Sequence, residues 1–224
     1  MGLRAEKVKK DFIRKSKDTN VFTAVHPVDL NLTGGTLTEL CGRSGSGKST
    51  LLNMLAGLLK PSEGTVYIDD IDIYALEDKA LSKLRNEKLG VIPQGHSAIS
   101  SLTVLENVLL PLSVYERHVD PAYAMELLDM VGIAHLKDAM PSELSGGEMR
   151  RMAIARAFVT KPSIVLADEP TGDLDDENTE IVLRLLKEAA QKGAAVLLVT
   201  HEKEANKYAD RIYRMNAGKL DPVL

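Results

Sequence analysis

The segment Gly42-Arg43-Ser44-Gly45-Ser46-Gly47-Lys48-Ser49 satisfies the pattern G-x-x-x-x-G-K-S at every constrained position. No other stretch of the chain restricts its fold so strongly, because the pattern works only between a strand and a helix. Residues 37–41 read as that strand and residues 48–59 as that helix, with Pro61 just beyond its end. The glycines let successive backbone N–H groups curl around a phosphate without Cβ clashes. The helix that follows turns its positive end toward the same anion. Lys48 adds a point charge that reaches β- and γ-phosphates, and the Ser49 hydroxyl suits Mg²⁺.

The remaining pattern fits an α/β chain with a mostly parallel sheet covered by helices. Residues 164–167 and 195–200 are short continuous apolar runs, typical of strands buried on both faces. Residues 64–74 alternate apolar and polar side chains and read as exposed antiparallel strands. In 178–191, Ile181, Leu185 and Leu186 recur at helical spacing, and Gly193 is a stop. From 97 to 159 the pattern is wholly helical. Leu105, Val108, Leu109 and Leu112 make one stripe; Met125, Leu127, Leu128 and Val131 make another, opened by Asp120-Pro121 and closed by Gly132. This stretch reads as a helical subdomain inserted into a single domain spanning 1–224.

Composition narrows the function classes. With 44% hydrophobic and 27% charged residues, the chain is ordinary globular material. Its one cysteine, Cys41, excludes a disulfide framework and a cysteine-rich metal site, and fits a reducing compartment. No apolar run nears the roughly 18 residues of a membrane span. The basic N-terminal residues Arg4, Lys7, Lys9 and Lys10 are followed by no apolar stretch, so they do not read as a signal peptide. A net charge of 28 − 32 = −4, only 4% aromatic residues and no Trp argue against a nucleic-acid partner.

Three further groups carry chemistry. The strand 164–167 ends in Asp168-Glu169, where a parallel sheet opens onto its ligand crevice. Asp168 suits Mg²⁺, directly or through water. Glu169 suits a base that takes a proton from an attacking water, a role that contributes roughly 10²–10⁴-fold. His201 follows the strand 195–200 and falls at the same sheet edge, placed to contact a γ-phosphate or orient the water. Ser145-Gly146-Gly147 begins a helix over 149–157 and makes a second anion-seeking helix start. One triphosphate does not need two helix starts so distant in sequence. The natural resolution is a nucleotide held between two chains, the phosphate loop of one facing the Ser-Gly-Gly of the other.

In this order and spacing, the residues resemble the ATP-binding subunits of ABC transporters from about residue 4 to about 219. Residues 42–49 are similar to the Walker A loop and 164–169 to Walker B. Leu144-Ser145-Gly146-Gly147-Glu148 resembles the signature, Gln94 the Q-loop glutamine, 171–175 the D-loop, and His201 the switch histidine. The resemblance implies a RecA-like P-loop NTPase core with a small antiparallel β subdomain and an inserted helical subdomain. It implies ATP and Mg²⁺ as cofactors. Nucleotide contacts would come from Gly42 through Ser49, Thr50, Ser145, Gly146, Gly147 and Asp175. Metal contacts would come from Ser49, Gln94 and Asp168, and catalytic groups would be Glu169, His201 and Gln94. For the adenine-stacking ring Phe12 is favoured over Phe22, because Phe22 opens an alternating strand pattern and reads as a core-facing residue. The implied partners are a second copy of the chain and an integral-membrane permease, with the chain peripheral on the cytoplasmic face.

Glu169-Pro170-Thr171-Gly172-Asp173-Leu174-Asp175, with Glu106-Asn107-Val108 and Pro111-Leu112, resembles the macrolide-export, lipoprotein-release and cell-division group (MacB, LolD, FtsE). Met149, Asp173 and Pro93 depart from that group's usual residues. A soluble ABC-type clamp acting in DNA repair or translation is the rival reading. A single nucleotide domain, no long coiled coil between 94 and 145, and no basic patch oppose it. A purely regulatory module would lack the base, whereas Glu169 and His201 are both present.

Overall fold

Alternating apolar residues at the N-terminus build an antiparallel sheet from β1 (Gly2–Arg14), β2 (Asn20–Thr33), β4 (Glu63–Ile68) and β5 (Ile71–Asp72), in the order β2-β1-β4-β5. These elements come from a computed structural model, which describes residues 2–14, 20–95, 97–115, 120–172 and 174–223. Leu3 pairs with Leu32, Ala5 with Leu30 and Val8 with Val28. All six are buried. Val8 lies three residues after Ala5, which strict alternation would place on the wrong face. A bulge there, with Lys7 at φ 49°, resets the phase.

The second sheet takes the order β10-β9-β3-β8-β7-β6, from β3 (Leu37–Cys41), β6 (Leu89–Ile92), β7 (Ile164–Asp168), β8 (Ala195–Val199), β9 (Arg211–Asn216) and β10 (Lys219–Pro222). Every described neighbour pair is parallel except β10 with β9. In β8, Val196 and Leu198 face one core, while Ala195, Leu197 and Val199 face another. That two-sided burial is why the run is continuously apolar. The second core is shared with α1 (Lys48–Leu55) and the antiparallel sheet. The first is shared with α3 (Val104–Ser113), α4 (Pro121–Met130), α5 (Gly146–Phe158) and α6 (Asp176–Gln191). Helices α3 to α5 lie in the chain between β6 and β7.

Several sequence expectations change. Helix α1 stops at Leu55 rather than at 59, because Gly57 adopts φ 66° and ends it a turn before Pro61. Strands β4 and β5 are antiparallel as expected, and Ile71 of β5 is exposed, but β4 turns one face inward: Val66 and Ile68 are buried, as is Ile73 just after β5. Helix α5 starts at Gly146 and α6 at Asp176, each earlier than the apolar periodicity indicates, because Ser145 and Asp175 are the N-caps. The surface helix α2 (Asp78–Lys88) has no fully buried residue and left little periodic signal.

The register levels the functional strand ends. Leu40 and Asp168 both pair with Val199, and Ile92 pairs with Ala167. Residues 42, 93–94, 169 and 200–201 therefore emerge at one edge of the sheet.

Candidate functional site

The phosphate loop is wedged against two other backbone segments. Gly218 N donates to Ser46 O at 2.9 Å, and His26 N to Gly218 O at 2.8 Å, which stitches the loop to the β9–β10 turn and to β2. Gly47, the N-cap of α1, sits at φ 106°, where a side-chain carbon would lie 2.5 Å from Ala24 O. Only glycine fits there. Lys48 is buried, and its Nζ donates to Gly42 O at 2.9 Å and Arg43 O at 3.1 Å. Its charge is thus held inside the loop, next to the α1 N-terminus. Ser44, Gly45, Gly47, Lys48, Ser49 and Thr50 line a cleft of about 230 Å³ with Gln94, Glu169, Ala24, Phe12 and Phe22.

Phe12 and Phe22 are directly opposed across β1 and β2, 40% and 43% exposed. The expectation that Phe22 turns into the core is therefore overturned. Cross-strand partners share a sheet face, so both rings stand on the same wall of the cleft. The stretch 15–19 that follows Phe12 lies outside the described residues.

Glu169 is the centre of the polar cluster. Its backbone is left-handed at φ 46°, a conformation that costs a non-glycine residue roughly 1–3 kcal/mol and gathers at functional sites. Glu169 N donates to Val199 O at 2.8 Å, which fixes the turn. One carboxylate oxygen accepts from Gln94 Nε2 at 3.2 Å; the other lies 3.3 Å from His201 Nδ1. The three residues come from three different strand ends, so their meeting depends on the register described above.

Asp168 lies one residue deeper, 5% exposed, and burial pushes its carboxyl above the usual carboxylate range, with a hydrogen bond from the Ser49 side chain acting the other way. Its Oδ1 is buried without a hydrogen-bond partner. An orphaned carboxylate oxygen on a residue bonded to Ser49 is what a hard cation would satisfy. The donor set Ser49 and Asp168 therefore fits Mg²⁺. Gln94 turns its amide nitrogen to Glu169, which leaves its Oε1 as the atom for a metal.

Ser145, Gly146 and Gly147 do not line this cleft. Ser145 caps α5 in a reciprocal box: its Oγ accepts from Glu148 N at 3.3 Å and donates to Glu148 Oε2 at 2.8 Å. The hydrogen bonds that the Ser145 backbone N–H and hydroxyl donate to the Glu148 carboxyl hold it below its usual range. Asp175 is likewise outside the cleft. It caps α6, accepting from Asn178 N at 2.8 Å, and that bond lowers its carboxyl. Asp173 lies outside the described residues.

Two residues bind these segments together: Arg150, which sequence reasoning passed over, and Thr171, which it read only as part of the stretch 171–175. Arg150 is buried and donates from Nη1 to Pro93 O at 2.7 Å. Thr171 Oγ1 donates to Glu202 Oε2 at 2.7 Å, linking the turn after Glu169 to the residue after His201. A charged residue at an α5 position that counts as buried was the one signal available for Arg150.

The chain's likenesses to known proteins agree with this geometry. The family model described as ABC transporter matches residues 25–172. A lipoprotein-releasing system ATP-binding protein LolD of Xanthomonas oryzae pv. oryzae (strain MAFF 311018) is 41% identical over 222 residues, covering 97% of this chain and 89% of the relative. A LolD protein of Colwellia psychrerythraea is 39% identical over 224 residues, covering 99% of this chain and 86% of its own. The dimeric structure of MJ0796, a bacterial ABC transporter cassette, matches with a TM-score of 0.92 at 36% identity over 99% of both chains. The same cassette in a dimeric post-hydrolysis state with ADP and Pi matches at 0.91, with 35% identity and the same coverage. The expected fold, a RecA-like α/β core with antiparallel and helical additions, is borne out by these matches.

Proposed function

This chain belongs to the ABC transporter family and is an ATP-binding, ATP-hydrolysing motor subunit of a transporter; on that premise we propose that two copies close on two ATP molecules and that Glu169 is the base. The observation that carries the reading is the Glu169 carboxylate, strained at φ 46° and gripped by Gln94 and His201 beside the phosphate loop. The triphosphate lies along the 42–49 backbone with Lys48 on its outer phosphates, and Phe12 or Phe22 stacks on the base. Ser49, Asp168 and Gln94 hold Mg²⁺, which when bound neutralises charge on the phosphate oxygens.

Glu169 takes a proton from a water as that water's oxygen bonds to the γ-phosphorus. The bond from that phosphorus to the β–γ bridging oxygen breaks, and ADP and phosphate leave. His201 and Gln94 fix the direction of the carboxylate, so little reorganisation remains for the reaction. The second chain supplies Ser145, Gly146 and Gly147 from its α5 N-terminus, since these residues do not line the cleft of their own chain.

The motion passes to an integral-membrane permease. The identity to proteins named as LolD supports a place in the macrolide-export and lipoprotein-release group. Among the described residues no helix is long and apolar enough to cross a membrane, and we place the chain on the cytoplasmic face against that permease.

Glu169→Gln tests the reading, because it removes the base and keeps the shape. Hydrolysis should fall by about 10²–10⁴ while ATP binding survives, and light scattering should then show an ATP-dependent dimer. Adding Ser145→Arg should abolish that dimer. A Glu169→Gln protein that hydrolyses ATP at the wild-type rate would remove Glu169 as the base. One that binds ATP yet stays monomeric at tens of micromolar, on the order of weak-dimer constants, would defeat the two-chain arrangement for the isolated subunit.

A further inference from the structure

The guanidinium of Arg150 lies where three functional segments meet, and the chemistry above gives it no task. It projects from the first half of α5, the helix that begins at Ser145-Gly146-Gly147, and the residue is 3% exposed. Nη1 donates to Pro93 O at 2.7 Å. Nη2 faces the turn after Glu169, 3.9 Å from where a side-chain carbon on Gly172 would stand. Burying a guanidinium is expensive unless its donors are used, and here Nη1 is bonded to Pro93 while Nη2 faces the turn at Gly172.

The bond to Pro93 has a particular consequence. A peptide unit is planar, so anchoring the carbonyl of Pro93 also orients the N–H and Cα of Gln94. Gln94 Nε2 in turn donates to Glu169. The far half of α5 is seated on the same strand: a side-chain carbon at Gly90 of β6 would lie 2.5 Å from Ala157 O. Helix α5 is therefore tied to the segment leading to Gln94 at both ends, by backbone contact at one and by Arg150 at the other.

We propose that Arg150 is a positioning residue for hydrolysis: it locks the Pro93–Gln94 peptide to the helix bearing Ser145, so that Gln94 keeps its bond to Glu169 only while α5 is in place. This rests on the roles given to Gln94 and Glu169 above. A displacement of α5 by a partner chain thus reaches the base without any group on α5 touching it. Lysine at 150 would keep one donor toward Pro93 but lose the directional fork.

The test is a double-mutant cycle on the full chain, read by single-turnover hydrolysis, ATP affinity and thermal melting, with Arg150→Met, Gln94→Ala and the pair. Arg150→Met should slow hydrolysis on the order of 10–100-fold. Its ATP affinity should stay within about twofold, since Arg150 does not line the cleft. In the Gln94→Ala background the same substitution should change the rate by less than about twofold, because its route of action is gone. Arg150→Lys should fall between wild type and Arg150→Met, and it replaces Arg150→Met in the cycle if that variant does not fold. Multiplicative losses, a wild-type rate for Arg150→Met, or an ATP affinity that falls with the rate would overturn the proposal. Gln94→Ala hydrolysing at the wild-type rate would bring down the assignment of Gln94 itself, and this inference with it.

Discussion

Removing the two rings at the mouth of the cleft tests where the base of ATP sits. Phe12 and Phe22 oppose each other across β1 and β2, and each keeps about two-fifths of its surface open. A base has two faces, and a ring stacked on one of them contributes roughly 1–3 kcal/mol, or about 5- to 150-fold in affinity. The other ring acts on the base only through its neighbour, and an aromatic pair contributes roughly 0.5–1.5 kcal/mol, or about 2- to 12-fold. The two single substitutions to alanine should therefore differ, with Phe12→Ala the larger loss. The double variant should lose less than the product of the two, because the supporting ring matters only while the stacking ring is present. Unlabelled ATP and inorganic tripolyphosphate would be titrated against each variant by calorimetry. ATP affinity should fall and tripolyphosphate affinity should not, since the 42–49 loop is untouched. A larger loss in Phe22→Ala would exchange the two roles. Wild-type ATP affinity in all three variants would refute the reasoning, because the base would then lie elsewhere.

Gly47→Ala should destabilise the protein by about 2–4 kcal/mol and abolish ATP binding, since its side-chain carbon would lie 2.5 Å from Ala24 O at φ 106°; urea melts and ATP titration check both. Asp168→Asn should behave oppositely in its two readouts. Burial raises the Asp168 carboxyl, so the folded state without ligand disfavours its charge at neutral pH, and stability returns as pH falls through the raised value. The neutral amide should then raise the nucleotide-free melting temperature by about 2–4 °C, equivalent to about 1 kcal/mol for a chain this size, and narrow the difference in Tm between acid and neutral pH. Mg²⁺-dependent ATP binding should weaken in the same variant. An unchanged or lower melting temperature would show that burial of this charge is not a net liability.

The parts of the site that sequence made legible are those in which one short segment contains the whole requirement. The phosphate loop is such a segment, and so are the apolar strands that end in Asp168 and Val199. What stayed hidden depends on partners distant in the chain. Phe22 read as a core residue because alternation names a face without naming what covers it. The covering element at that end of β1 and β2 is the cleft. The bulge at Lys7 has no local signature, yet it decides which side of β1 is buried. Asn107 shows the middle case. It was visible as part of a Glu106-Asn107-Val108 motif. Its task became clear only from the fold: fully buried, it accepts from Ile99 N at 2.8 Å and donates to the carbonyls of Ile99, Leu102 and Thr103, which shapes the turn before α3.

The capping box at Ser145 bears directly on how a two-chain arrangement would close. Glu148 Oε2 accepts from both Ser145 N and Ser145 Oγ, at 2.7 and 2.8 Å. Within one chain, then, the Ser145 N–H and hydroxyl, two of the groups that would greet a partner's γ-phosphate, are already satisfied by a carboxylate. Approach of the phosphate exchanges one anionic acceptor for another at the same helix start, and such an exchange has little net hydrogen-bond energy. The Glu148 charge also repels the incoming phosphate, by an amount that grows as water leaves the interface. At Ser145 the exchange would consequently be close to balanced, and the bias toward closure would come from elsewhere in the contact, through the Gly146 and Gly147 N–H groups and through Lys48 and the α1 N-terminus on the opposing chain. A near-balanced contact is what a motor needs: loss of the γ-phosphate is then enough to reopen it, whereas a strongly favourable one would hold the product state shut.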